Sequence, residues 1–154
     1  MAIHIDLTER EGYAVPVDGA VGRTFEMVRH VDFTETANQL AQTEIMALFK
    51  VPAGVLVKEV MIYVETADAD VSDVDIGNAS SAGVTISADG FVDGATLAST
   101  GLKRDLAGET YSLQDGTAGY CSTSDTIIIL TNNDADTLNG AIVNFIARCE
   151  DCRG

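Results

Sequence analysis

The residues best equipped for chemistry are three cysteines, two histidines and a surplus of carboxylates. Cys149-Glu150-Asp151-Cys152 has the spacing of a CxxC pair. Zinc needs four ligands, usually two such pairs or one pair with histidines, and no second pair is present. Cys121 stands apart, and an odd cysteine count makes a poor disulfide framework. The plainer reading is free thiols near a frayed C-terminal end; metal or disulfide chemistry is the alternative. Histidine is the usual general base. His4 sits in an irregular terminus and His30 on the polar face of a strand, where a histidine without a partner is ordinarily structural. The sequence has no Ser/His/Asp arrangement, GxSxG elbow, phosphate-cradling glycine loop or HExxH pair.

Carboxylates are plentiful enough for a paired-acid glycosidase by residue type alone. Sugar sites also need aromatic platforms, and the chain has no tryptophan and few other aromatics. Two acidic segments are oxygen-rich enough to be considered for calcium. One is Asp68-Ala69-Asp70 with Ser72, Asp73 and Asp75; the other is Asn133-Asp134-Ala135-Asp136. Neither fits the EF-hand pattern. The competing reading is solvated turns whose Asp and Asn side chains bond the local backbone. The expectation is therefore a protein that is not an enzyme, with no catalytic, cofactor-binding or metal-ligating residues and no cofactor.

The elements that carry these residues are short strands. The chain has 154 residues, which favours a single domain able to bury a core without staples. Its formal net charge is −15, from 24 acids and 9 bases. Such a surface repels phosphate, so neither nucleic acid nor an anionic membrane is an expected partner. No apolar run approaches the length of a membrane helix, and the N-terminus lacks a secretory pattern, so folding in a cytoplasm is expected.

Fourteen glycines and clusters of Asp, Asn, Ser and Thr punctuate the apolar runs. Residues 1–23 are an irregular N-terminal arm, lying on a neighbour or simply loose, and 24–154 are the folded domain. From Thr24 to Phe33 the pattern alternates, with Phe25, Met27, Val31 and Phe33 on one side, interrupted by Arg29. Thr34 to Gln42 suits a loop or a short helix, followed by a strand from Thr43 to Val51 that Pro52-Ala53-Gly54 ends. Val55 to Thr66 is apolar on both faces, as is Thr126 to Thr131. Val71 to Ile76 is a strand stopped by Gly77-Asn78; Gly83 to Ser87 is a short strand, and Asp89 to Gly94 a turn anchored by Phe91. Ala95 to Ala118 is loop-rich, Tyr120 to Ser122 begins a strand edge, and Ala141 to Arg148 is the last strand. The sum is an all-β, antiparallel β-sandwich or jelly roll of about eight strands. The two-sided strands Val55 to Thr66 and Ile127 to Leu130 are expected to supply a subunit interface.

Several of these segments resemble small head proteins encoded beside phage capsid genes. Val51-Pro52-Ala53-Gly54-Val55-Leu56-Val57, preceded by Ala37 to Gln42 and a strand, looks like their "iPAGtlV" turn. Val74-Asp75-Ile76-Gly77-Asn78 resembles their "vdiGd" strand, and Asp89-Gly90-Phe91-Val92 their "dgfld" segment. Gly119-Tyr120, Asp125 to Ile129 and Leu138 to Val143 resemble their closing hairpin. The likeness runs from about Ala37 to Ile146 and is built of turns and strand faces. It implies a tailed-phage capsid decoration (cement) protein: a homotrimer on the outer surface of the virion head, bound to the major capsid protein. The alternative is a receptor- or carbohydrate-binding β-sandwich module of a phage fibre or tail, for which Tyr13, Tyr111 and Tyr120 are scattered candidates.

Overall fold

The computed structural model describes residues 3, 5, 6, 24–104, 111 and 119–153. These form an antiparallel β-sandwich of two five-stranded sheets. Strands are β1 (Ile5–Asp6), β2 (Thr24–Asp32), β3 (Ile45–Val51), β4 (Val55–Thr66), β5 (Val74–Ser80), β6 (Thr85–Ala95), β7 (Gly101–Lys103), β8 (Tyr120–Cys121), β9 (Thr126–Asn132) and β10 (Ile142–Asp151). The first sheet has the order β1-β3-β9-β5-β6; in the second, β2-β10-β4-β7 run side by side and β8 also pairs with β4. All pairings are antiparallel except the two-residue β1 on β3. The two strands beyond the expected eight are β1 and β7, of only two and three residues. Beyond Ile3, Ile5 and Asp6, the N-terminal arm expected over 1–23 lies outside the described residues.

β2 follows its alternation. Met27, Arg29 and Val31 point inward, while Glu26, Val28 and His30 face solvent. Segment 34–42 holds one 3-10 turn, Thr36–Asn38, and a bridge from Leu40 to Leu138. The two apolar faces of β4 have a local cause. A register shift against β10 leaves Lys58 without an opposite residue, so the inward parity changes along the strand. Val55 and Val57 point inward before it, and Val60, Ile62 and Val64 after it. Most of the apolar residues of β4 therefore share one core face. In β9 both faces are indeed buried. Ile128 and Leu130 join the core between the sheets, and Ile127 and Ile129 pack on the outer side with Ile45, Ala47, Ala79 and Ile3. The Ile127 to Leu130 run is thus consumed within the chain and offers no subunit surface, contrary to its sequence reading.

Two expected stops are not stops. β5 runs through Gly77, because a Cβ there would collide with the backbone of Ser87 and Ala88 on β6. The glycine marks close approach of two backbones at an irregular register. β6 likewise runs through Asp89 to Gly94, and the ring of Tyr111 occupies the space a Cβ at Gly90 would need. The chain reverses instead at Ser80–Val84, where Gly83 takes φ +82° and Ser80 N–H donates to the carbonyl of Val84. Between the sheets, Phe33 and Phe145 meet edge to face at 6.4 Å within a single core running from Met27 to Cys149.

Candidate functional site

The cysteines do not converge as a CxxC pair. Three residues of extended chain put Cys149 and Cys152 on opposite faces. Cys149 belongs to β10 and packs in the inter-sheet core, so it is not near a frayed end. Burial pushes its thiol up to about 12. Cys121 and Cys152 are exposed, and all three are free thiols. Burial, and to a lesser degree Cys152, raises the Cys121 thiol, so neither effect favours a reactive thiolate.

His30 lies on the exposed face of β2, with Nδ1 3.1 Å from Asn144 Oδ1. His4 lies outside the described residues. The two acidic segments, distant in sequence, are neighbours in space, but the carboxylates of Asp68, Asp75 and Asp134 are occupied. Asp68 Oδ2 accepts the backbone N–H groups of Asn139 and Gly140 at 3.0 and 2.8 Å. Asp134 Oδ2 accepts from Ser72 N–H at 2.8 Å and Ser72 Oγ at 3.0 Å. The backbone bond from Ser72 is the main reason Asp134 sits below the usual carboxylate range. Asp75 accepts from Gly94 N–H at 2.9 Å and from the side-chain amide of Asn133. Asp73 contributes its main-chain carbonyl, to Asn133 and Asp134 N–H. These carboxylates hold separate loops together as well as local turns. The described residues contain no group of three or more His, Cys, Asp or Glu placed to hold a metal ion.

Sequence reasoning missed Glu59. Its carboxylate is buried on the outer face of the second sheet at 6% exposure. Arg104 donates to it from Nη2 at 2.8 and 2.9 Å and from Nε at 3.2 Å; Arg148 Nη1 donates at 2.9 Å. The partners are 45 and 89 residues away, and no local spacing announces such a cluster. The row extends to Glu26, whose Oε1 is 3.7 Å from Arg148 Nε.

Below this row the same face is largely apolar, although His30 and Asn144 share the register of Tyr63. In register lie Val28, Ile146 and Met61, and then Tyr63 beside Leu102. Val28, Tyr63 and Leu102 are exposed at 54, 45 and 52%. A shallow depression of about 270 Å³ adjoins the row, between Glu26, Lys58 and Arg148. Another of about 310 Å³ lies between β6 and Arg104. Neither gathers groups that could act as a general acid and base. Tyr111 and Tyr120, scattered in sequence, meet as tilted rings 4.8 Å apart, and Phe91 lies 5.0 Å from Tyr111. They pack against one another and the core rather than forming an open platform. Tyr13 lies outside the described residues.

No protein-family model matches this sequence, and no curated protein matches it. Its fold is similar to that of solved phage proteins. A chain in the capsid of Ralstonia phage GP4 superposes with a TM-score of 0.71 at 14% identity, over 99% of this chain and 100% of that one. A chain of the cyanophage Pam1 capsid asymmetric unit gives 0.50 at 14% identity, over 92% and 94%.

Proposed function

We propose that this chain is a structural protein of a tailed-phage particle, a decoration protein that binds the outside of the head as a trimer and stabilises the shell. The observation that carries the reading is the match of its fold to a chain of a phage capsid over 99% of this chain and 100% of that one. The resemblance of its turn segments to small head proteins points the same way. So does the use of its polar groups: carboxylates fasten loops and pair with arginines rather than converging on a cleft. Such a protein needs no catalytic residue and no cofactor. Its partner is the major capsid protein.

The mechanism is linkage. A packed head pushes outward, and a protein that binds only the assembled shell stabilises it by mass action. Bridging several capsomers adds interface that expansion must break. The net charge of −15 keeps many copies soluble at high local concentration.

Purified protein mixed with expanded empty heads tests this. Saturable binding to heads, with a rise in the temperature at which they rupture, is the expected result. Failure to bind heads combined with binding on a glycan array would replace this reading with the receptor-binding one.

A further inference from the structure

Among the six asparagines of the chain, Asn139 alone is followed by glycine. An Asn-Gly pair has a reaction open to it that needs no enzyme. The glycine nitrogen loses its proton and attacks Cγ of the asparagine side chain. The new N–Cγ bond closes a succinimide ring, and ammonia leaves. Water then opens the ring at either carbonyl, giving aspartate or isoaspartate. Glycine suits this attack because no Cβ hinders its nitrogen.

Asn139 is exposed, so its side chain has room to react. The nitrogen that must attack is engaged. Gly140 N–H donates to Asp68 Oδ2 at 2.8 Å, and Asn139 N–H to the same oxygen at 3.0 Å. Asp68 is only 5% exposed and comes from the β4–β5 loop, 72 residues away in sequence. Its own backbone is fixed: its N–H donates to Leu97 O at 3.0 Å, and its carbonyl accepts from Val71 N–H at 3.2 Å. The carboxylate is thus set against Gly140 by the packing of three loops.

We propose that Asn139–Gly140 is a site of spontaneous deamidation that the Asp68 carboxylate restrains. Removing the Gly140 proton breaks its hydrogen bond to Asp68. It also creates an amidate anion beside a carboxylate shielded from water, and like charges oppose that. Repulsion worth about one pKa unit lowers the amidate population, and with it the rate, about tenfold. Asp68 does not promote the attack as a base, because a carboxylate is far less basic than the amidate it would have to form. The modification would matter structurally. Leu138 and Leu40 exchange backbone hydrogen bonds of 2.9 and 3.1 Å, and Phe33 N–H donates to Ala141 O at 2.9 Å. Isoaspartate at position 139 adds a methylene to the main chain between these two anchors, whose residues Leu138 and Ala141 are fully buried.

The step is independent of the shell reading and is tested on the free protein. The full chain is kept in mildly alkaline buffer, and peptides spanning Asn139 are followed by mass spectrometry, with isoaspartate counted by an isoaspartyl methyltransferase. Asp68→Asn keeps the side-chain shape and an acceptor oxygen but removes the charge. It should deamidate at Asn139 about tenfold faster than the unaltered chain, with an unchanged circular dichroism spectrum. Asp134→Asn loosens the fastening to Ser72 at the same end without touching Gly140, and should leave the rate unchanged. An unchanged or slower rate in Asp68→Asn, or an equal rise in Asp134→Asn, would overturn the proposal. A second measurement needs no variant. Base-catalysed hydrogen exchange of the Gly140 amide passes through the same amidate, so it should be slower in the native chain than in urea. Exchange as fast as in the unfolded chain would equally overturn it, and this result decides the matter if Asp68→Asn does not fold.

Discussion

Glu59 shows why removing an acid and removing its bases are not equivalent. The carboxylate is closed off from water, whereas the side chains of Arg104 and Arg148 are 37% and 50% exposed. Glu59→Met frees two guanidiniums that can turn to solvent, so it should cost only about 1 kcal/mol. Arg104→Met with Arg148→Met strands a buried carboxylate and should cost about 3 kcal/mol. Urea denaturation of both variants checks the order. The thiols give a second contrast. In the native protein, an aromatic disulfide reagent should titrate Cys121 and Cys152 promptly and Cys149 only on unfolding. Because the folded-state pKa of Cys149 is raised to about 12, the neutral thiol is the form that folding favours. Its contribution is complete below the unfolded value near 9 and is lost as pH rises from there toward 12. Alkaline titration followed by circular dichroism should show stability declining above about pH 9, and Cys149→Ala should remove that part of the decline.

At the scale of elements, alternation was enough to locate β2 and β10, because burial on one face imposes a period of two, and runs apolar on both faces located β4 and β9. It did not reveal the bulge in β4. One unopposed residue interchanges the faces, so Val55 and Ile62 seem to belong to opposite sides although both point inward. Glycine misled for a similar reason. Asp89-Gly90 and Asp93-Gly94 carry turn chemistry, yet glycine also serves wherever another group must come close, as at Gly77 and Gly90. The Glu59 cluster was illegible because its members meet only through tertiary pairing. Two glycines separate the effects of space and conformation. Gly101 has φ +104° and open space around it, so Gly101→Ala should cost only backbone strain, about 1 kcal/mol. Gly77→Ala forces β5 and β6 apart and should cost about 3 kcal/mol. Equal losses in thermal unfolding would mean the β5–β6 approach is looser than described. Ile62→Asp or Ile128→Asp, each placing a charge in the inter-sheet core, should prevent folding altogether.

For the whole molecule, acid separates two consequences of the carboxylates. Protonation in acid removes the self-repulsion of a −15 chain, which reaches zero net charge at about pH 4.1. Three carboxylates are held below the usual range. Hydrogen bonds from Thr34 lower Asp32, those from Arg153 lower Asp151, and Ser72 lowers Asp134. A carboxylate with a lowered folded-state pKa contributes stability that is present above its unfolded value, about 3.9, and lost as pH falls through the folded one. Repulsion between copies therefore vanishes before these fastenings open. On descending from pH 7, light scattering should show association rising to a maximum near pH 4.1 while circular dichroism remains native. Unfolding should follow only at lower pH. Asp134→Asn, which removes a charged acceptor for Ser72, should lower stability at pH 7 and flatten its loss in acid. Unfolding that begins above pH 5, ahead of association, would mean that the loop-fastening carboxylates do not hold the sandwich in the way their hydrogen bonds indicate.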